Sequence, residues 1–416
     1  MHRTDDQAAS RRKETMTITC ADCGSPQELP LLPPHGIAAC IRCDRILDRR
    51  KSTRFDLAFA AALGTLVLLP PAMMLPLMRS TIQGIFHQQS RLVSSIPEIY
   101  NQVWFPFAFG FFFFAFLLPA ARALFLVLVL GWMRWKWPVP QPGKTFRWAE
   151  ELRIWSMTDV VAIAGVIAYY RAGVPADVDL LIGAWCYLIV AILALVTDRA
   201  VDRRAVWSAI LPDSEAHPSQ AVTACAVCEM TFAEEGWERR ACPRCGAVLN
   251  PQLASRFAPA VAIVGAAALL YFPALSFAVI VNEQLTGIVE HTVIGTVQLL
   301  ADYGYWQIGV ILLLAGFVIP MGSLVAMGWM LARVAIPSRD GLVRRTRVDR
   351  VVRGLVRWPM VIPFIAAIAA PIVDFPNVDD ILAGPGATPY FTVVVLLMLA
   401  VRIFRPRMMW RAAGEA

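Results

Sequence analysis

Apolar residues in this chain gather into eight long runs, divided by short charged or polar intervals. The runs cover about 57–78, 103–133, 154–171, 180–197, 257–281, 305–333, 358–373 and 390–404. As helices, most reach across a hydrocarbon layer of about 30 Å. The pattern predicts an all-α polytopic membrane protein. The first run holds Leu69-Pro70-Pro71-Ala72 and Pro76. Prolines there predict a kinked or broken helix whose freed carbonyls need other partners. The second run carries Phe111 to Phe114, Leu118-Pro119 and a lone Arg122, then ends in Trp132, Trp135 and Trp137. Those tryptophans read as an aromatic belt at a membrane surface. The intervals holding Glu283, Glu290, His291 and Asp302, and Asp374, Asp379 and Asp380, read as solvated loops.

The order of landmarks repeats. Phe272-Pro273-Ala274 matches Pro70-Pro71-Ala72, and Gly287-Ile288 matches Gly84-Ile85. Ile319-Pro320 matches Leu118-Pro119, and Gly328-Trp329-Met330 matches Gly131-Trp132-Met133. Trp358-Pro359-Met360 follows Trp155-Ser156-Met157, and Arg407-Met-Met-Trp410 follows Arg204-Ala-Val-Trp207. Two unrelated sets of apolar runs would not keep Pro, Trp and Cys in register, so the pattern reads as a duplication.

Composition agrees with a membrane protein. Hydrophobic residues make up 57% and charged residues 17%, with a formal net charge of +7. With eight spans and a cytoplasmic N-terminus, all but four of the 38 Lys and Arg fall on the cytoplasmic side. Arg79, Arg91 and Arg171 fall outside and Arg122 lies within a run. This positive-inside bias accounts for the basic charge without a nucleic-acid partner. Each half has an even number of spans, so the halves enter the membrane in the same sense, as parallel repeats. The polar first residues predict no cleavable leader.

Eight of the nine cysteines form CxxC pairs. Cys20 and Cys23 precede Cys40 and Cys43, and Cys225 and Cys228 precede Cys242 and Cys245. Two such turns aim four thiolates at one point, the ligand set of a closed tetrahedral Zn²⁺ site. Four thiolates also bind iron, and a thiol–disulfide pair would call for a βαβ context that the pattern lacks. The expectation is two Zn²⁺ per chain, held in reducing cytoplasm. Cys186 lies in an apolar run and reads as a small core residue. The chain then divides into a disordered tail (1–19), a zinc ribbon (20–50), a four-helix membrane unit (51–207), a second ribbon (208–250) and a second four-helix unit (251–411).

Two residues in the runs suggest chemistry. Arg122 in mid-helix costs about 2.5–3.5 kcal/mol on insertion scales unless it reaches the headgroups. Asp159 opens the third run, where the helix dipole favours a carboxylate, and it could instead pair with Arg122 or guard a polar cavity. The first spans combine Pro71 and Pro273 with small or adaptable neighbours, among them Met74 and Ser276. Helix breaks are tolerated where they line a cavity, and methionine-rich surfaces repack around varied chains. These six residues are the candidate functional positions within the spans. Nucleotide-binding, zinc-protease and nucleophile-elbow motifs are missing, so no enzyme is predicted.

The paired CxxC units, the Pro-Ala first span, Thr81-Ile82-Gln83-Gly84-Ile85, Trp155-Ser156-Met157-Thr158-Asp159-Val160 and the closing Asp202-Arg203-Arg204-Ala-Val-Trp207 resemble the paraquat-inducible protein A family of bacterial inner-membrane proteins. The resemblance runs from about Cys20 to Trp410. It implies a multi-pass inner-membrane subunit with tetraspanin-like four-helix units and cytoplasmic termini. It also implies a periplasmic MCE-domain tunnel protein as partner and membrane phospholipids as cargo. The chain departs from the family where a lysine usually follows the second-span proline: Arg122 stands there in one half and Met321-Gly322-Ser323 in the other. The second half also lacks the serine and acid of the third span, reading Trp358-Pro359-Met360-Val361-Ile362. Other readings are a redox or stress-response membrane protein and a structural anchor for the periplasmic partner.

Overall fold

The computed structural model describes residues 15–49, 55–82, 86–94, 105–172, 177–212, 222–233, 241–249, 256–284, 287–373 and 379–414, apart from 31–32, 34–35 and 226. The tail expected over 1–14 lies outside them. Residues 15–19, assigned to that tail by sequence, form the first strand of the ribbon.

The first ribbon is two hairpins, β1 (Thr15–Thr19) with β2 (Pro26–Pro30) and β3 (Ile37–Ala39) with β4 (Ile46–Arg49). Helix α1 (Phe55–Met74) follows. At 20 residues it spans about 30 Å. It runs unbroken through Pro70 and Pro71 and stops at Met74, short of the sequence expectation. Pro76 instead opens strand β5 (Pro76–Ile82), which pairs antiparallel with β6 (Phe86–Arg91) and with β7 (Asp177–Leu180) in the order β6-β5-β7. The polar interval after the first run thus contributes to a small sheet roofing the end of the bundle remote from the ribbon. Leu77-Met78 followed by Arg79-Ser80-Thr81 shows no apolar-polar alternation, so the pattern does not mark this strand.

Helices α2 (Phe105–Phe112) and α3 (Leu118–Trp135) are one rod joined by a π-helical turn over Phe113–Leu117. Pro119 has no N–H to give the carbonyl of Ala115, and the wider turn absorbs its ring. Tyr187 donates its hydroxyl to that carbonyl at 3.2 Å. Beyond the rod come the amphipathic α4 (Pro142–Leu152), α5 (Thr158–Ala172), α6 (Ile182–Ala200) and the short α7 (Arg203–Ile210).

The second ribbon has β8 (Val222–Ala224), β9 (Thr231–Ala233) and a bridge between Ala241 and Val248. The same order of elements then recurs. It comprises α8 (Phe257–Ser276), β10 (Ile280–Gln284), β11 (Gly287–His291), an additional α9 (Val293–Asp302), and the rod α10 (Trp306–Leu313) and α11 (Ile319–Ala335) around a π turn at Leu314–Val318. After them come α12 (Leu342–Leu355), α13 (Val361–Val373), β12 (Asp379–Ala383), α14 (Ala387–Ile403) and α15 (Arg407–Ala412). The second sheet has the order β11-β10-β12. Pro320 frees the carbonyl of Gly316, and Tyr390 supplies a hydroxyl at 3.3 Å. Tyr271 does the same for Phe317 at 3.0 Å. Gly183 and Gly386 let α6 and α14 start hard against backbone. A Cβ on Gly183 would lie 2.6 Å from the Leu75 carbonyl, and one on Gly386 would lie 2.5 Å from that of Phe277.

Among the described residues, six helical segments are long and apolar enough to cross a membrane: Phe55–Met74, Ala108–Trp135, Ile182–Ala200, Phe257–Ser276, Trp306–Ala335 and Leu342–Ile368. The last includes the arginine-rich α12, so its apolar part is the C-terminal portion. Helices α5 and α14 are apolar but shorter. Outward-facing Leu269, Phe272 and Val325 are 79%, 76% and 65% exposed. Apolar faces this continuous fit a bilayer and not water. The two halves meet through α5 and α13.

Candidate functional site

Four CxxC turns build two four-cysteine groups, each able to hold a metal ion. In each turn the residue after the second cysteine takes a left-handed conformation: Gly24 at φ 80°, Asp44 at 57°, Glu229 at 59° and Gly246 at 64°. That twist lets its N–H reach back to the carbonyl of the first cysteine, as in Gly24 to Cys20 at 2.9 Å and Gly246 to Cys242 at 2.8 Å. The thiols then converge. Cys20, Cys23, Cys40 and Cys43 form one group and Cys225, Cys228, Cys242 and Cys245 the other, all buried, with their sulfurs within 4.8 Å of one another. Cys20–Cys43 and Cys23–Cys40 lie 3.6 Å apart, and Cys228–Cys242 lie 3.5 Å apart. A tetrahedral ion with bonds of about 2.3 Å places its sulfurs about 3.8 Å apart, so each group fits one metal ion. Hydrogen bonds from Cys23 and Cys43 pull the Cys20 thiol far below its usual pKa, and the bond to Cys20 pushes Cys23 up to about 12. A metal must displace the remaining thiol protons, which couples its binding to pH.

The ribbons exchange seats. The first, which precedes the first half, packs on the second half. Arg350 of α12 donates to Asp22 at 3.0 Å and to the Cys43 carbonyl at 2.6 Å, and Arg347 pairs with Asp44 at 2.5 Å. Arg42 lies 4.6 Å over the ring of Trp410 in α15, and Arg407 presses on Gly24. The second ribbon packs on the first half, sharing a core with Phe146 of α4 and Trp207 of α7. Lys144 presses on Gly246, and Gly143 abuts the Arg244 carbonyl so closely that no Cβ would fit. The ribbons also touch each other, with β1 against β8 and β9. Arg45 bridges Asp22 and Glu229 at 2.5 and 2.7 Å. Burial opposes its charge, but Glu229 and Asp22 together hold its pKa above the usual arginine value.

This seating explains the closing motif. Asp202 caps α7 by accepting from the backbone N–H groups of Arg204 and Ala205, and Trp207 packs edge-on to Phe146 at 4.8 Å. In the second half Arg405 stands at the Asp202 position, where burial among Arg353, Arg256 and other arginines lowers its pKa to about 10. There α15 has no side-chain cap, and Trp410 is anchored by donating to Thr346 at 3.1 Å.

Arg122 and Asp159 each find a different partner. Arg122 is buried and pairs with Asp198 near the C-terminus of α6. Its Nε has no partner among the described residues. Asp159, in the first turn of α5, pairs with Arg357 of the other half at 2.6 Å. Sequence reasoning missed both partners, because Asp198 and Arg357 sit at run ends where charge reads as a cytoplasmic flank. Pro71 is half-buried on α1, Met74 is exposed at its end, Pro273 is half-buried on α8, and the exposed Ser276 bonds back to Phe272 at 2.9 Å.

An apolar cavity of about 260 Å³ lies elsewhere in the first half, at the roofed end. The sheet contributes Met78, α5 contributes Gly165 and Tyr169, α6 contributes Ala184 and Trp185, and Ile368 of α13 closes one side. The six candidate functional residues are not in its wall.

The family model described as Paraquat-inducible protein A matches residues 56–210 and 257–414. The chain belongs to this family. The Intermembrane transport protein PqiA of Escherichia coli K12 is 23% identical over 414 residues, covering 96% of each chain. A Probable intermembrane transport protein of Haemophilus influenzae is 23% identical over 410 residues, covering 95% of each. The Lipophilic envelope-spanning tunnel protein A of Escherichia coli K12 is 25% identical over 267 residues, covering 63% of this chain and 61% of its own. No solved structure matches the chain. This paraquat-inducible protein A family member is thus a membrane protein whose relatives are named for transport, with two four-cysteine groups able to hold metal.

Proposed function

We propose that this protein is the inner-membrane subunit of an MCE-type lipid transport system, handing phospholipid to, or taking it from, a periplasmic tunnel partner. One observation carries the reading: a protein with transport relatives holds an apolar, acyl-sized cavity inside its membrane bundle. The chain crosses the membrane eight times in two parallel four-helix units. The arginine bias puts both ribbons and both termini in the cytoplasm and the two sheets at the periplasmic surface. Each ribbon holds one Zn²⁺, which clamps its knuckles and does no chemistry on the cargo. Arg122, Asp159 and the prolines at 71 and 273, with Met74 and Ser276, serve the conformational change that moves the lipid. The pair Arg357–Asp159 spans the two halves and is the contact such a movement would break.

The test is affinity isolation of the full chain from its own envelope, followed by protein and lipid mass spectrometry. An MCE-domain protein and bound phospholipid are expected. Stoichiometric iron, reversible thiol oxidation and no phospholipid would turn the reading toward a redox protein.

A further inference from the structure

The cavity in the first half has features that define its occupant. An apolar cavity of about 150 Å³ takes a benzene-sized ligand, so 260 Å³ holds on the order of ten carbons. That is a stretch of one acyl chain, and too little for a two-chain lipid. Met78 and Leu92 are buried at its inner end. Val166, Tyr170, Trp185 and Leu188 form the opposite wall, and each is at least 39% exposed on the apolar outer face of the bundle. A chain therefore enters sideways from the bilayer. Tyr169, Tyr170 and Trp185 have apolar rings with polar edges, the side chains that settle where acyl chains meet headgroups.

The roof completes the site. Met78, Ser80, Ser90 and Leu92 are buried beneath the sheet, while Arg79, Gln89 and Arg91 are exposed on its outer face. Arg79 and Arg91 adjoin cavity residues in sequence, as does Arg171, which follows Tyr170. These three are all the basic residues that the charge bias assigns to the outer surface. The corresponding intervals of the second half, 282–304 and 374–389, hold no Lys or Arg. A phosphate at this level finds guanidinium partners. Asp179, opposite Arg79 in the strand register, can accept from an ammonium.

We infer that this cavity binds one acyl chain of a phospholipid from the leaflet remote from the ribbons, with its headgroup at the rim of the β6-β5-β7 sheet. The inference rests on the lipid-transport reading and places a cargo site in the first half.

Photolabelling tests it, with the full chain reconstituted in vesicles of phosphatidylethanolamine and phosphatidylglycerol. The probe is phosphatidylethanolamine with a diazirine near the end of one acyl chain. Label should concentrate on residues 161–170 and 184–188. A Cβ on Gly165 would meet only Ile368, at 4.0 Å, so Gly165→Leu projects into free space. Gly165→Leu and Ala162→Leu should each cut labelling by about ten-fold with the melting temperature retained. If one variant fails to fold, the other decides. Diacylglycerol bearing the same diazirine should label several-fold less, and Arg79→Gln with Arg91→Gln should bring phosphatidylethanolamine down to that level. Label spread evenly over exposed helices such as α11, or insensitive to both filling variants, overturns the site. Equal labelling by diacylglycerol overturns the headgroup assignment. Cavity labelling without lipid transfer in reconstituted vesicles removes the transport reading and leaves the site. Transfer without cavity labelling does the reverse.

Discussion

The left-handed residue after each CxxC pair is where single side chains decide the geometry of the four-cysteine groups. Gly246 has φ 64° and no room beside Lys144. Gly246→Val should therefore strain the second ribbon by roughly 1–3 kcal/mol. Elemental analysis should show metal content falling from two ions per chain toward one, with the first centre intact. Two full equivalents in the variant would mean that the turn does not depend on glycine. The tyrosines that serve the proline-freed carbonyls make a second case. Tyr390→Phe leaves Gly316 without its hydroxyl donor and should cost about 1 kcal/mol, read as a lower melting temperature in detergent. A paired Pro320→Ala change restores a backbone N–H and should recover part of that loss. The two four-cysteine groups are legible from cysteine spacing alone. The tyrosines are not, because a phenol in an apolar run looks like any membrane aromatic until the proline four residues beyond its acceptor is brought beside it.

Helices were legible from run length, and Pro119 and Pro320 fell just past the π turns of the two rods, whereas Pro70, Pro71 and Pro273 lie within unbroken helices. The sheets were not legible, since β5 continues an apolar run and carries no apolar-polar alternation. Ribbon seating was not legible either. Chain order suggests that each ribbon serves the half it precedes, yet Arg350 and Trp410 hold the first ribbon on the second half, while Phe146 and Trp207 hold the second on the first. The tryptophan of each closing motif, singled out from sequence as a repeat marker, proves to be a docking post for the opposite ribbon. Arg350→Ala removes contacts to Asp22 and the Cys43 carbonyl. It should loosen the first ribbon alone. Metal release to a chelator should then become biphasic, with one ion leaving several-fold faster. A uniform rate for both ions would contradict the crossed seating.

Across the whole molecule, the crossed ribbons, the α5–α13 contact and the Arg357–Asp159 pair tie the halves into one body. The charged partnerships are uneven. Arg122 and Asp198 pair only in the first half, where the second half has Ser323 and Val401 at the corresponding positions. The cavity proposed to take an acyl chain lies in the first half, on the same side of this asymmetry. The central claim is that this body moves phospholipid, and its most direct measurement is transfer of headgroup-labelled phospholipid from proteoliposomes holding the full chain and its co-isolated periplasmic partner to acceptor vesicles. The account predicts transfer that requires the chain and falls strongly in Gly165→Leu. Transfer at the same rate with and without the chain would contradict it.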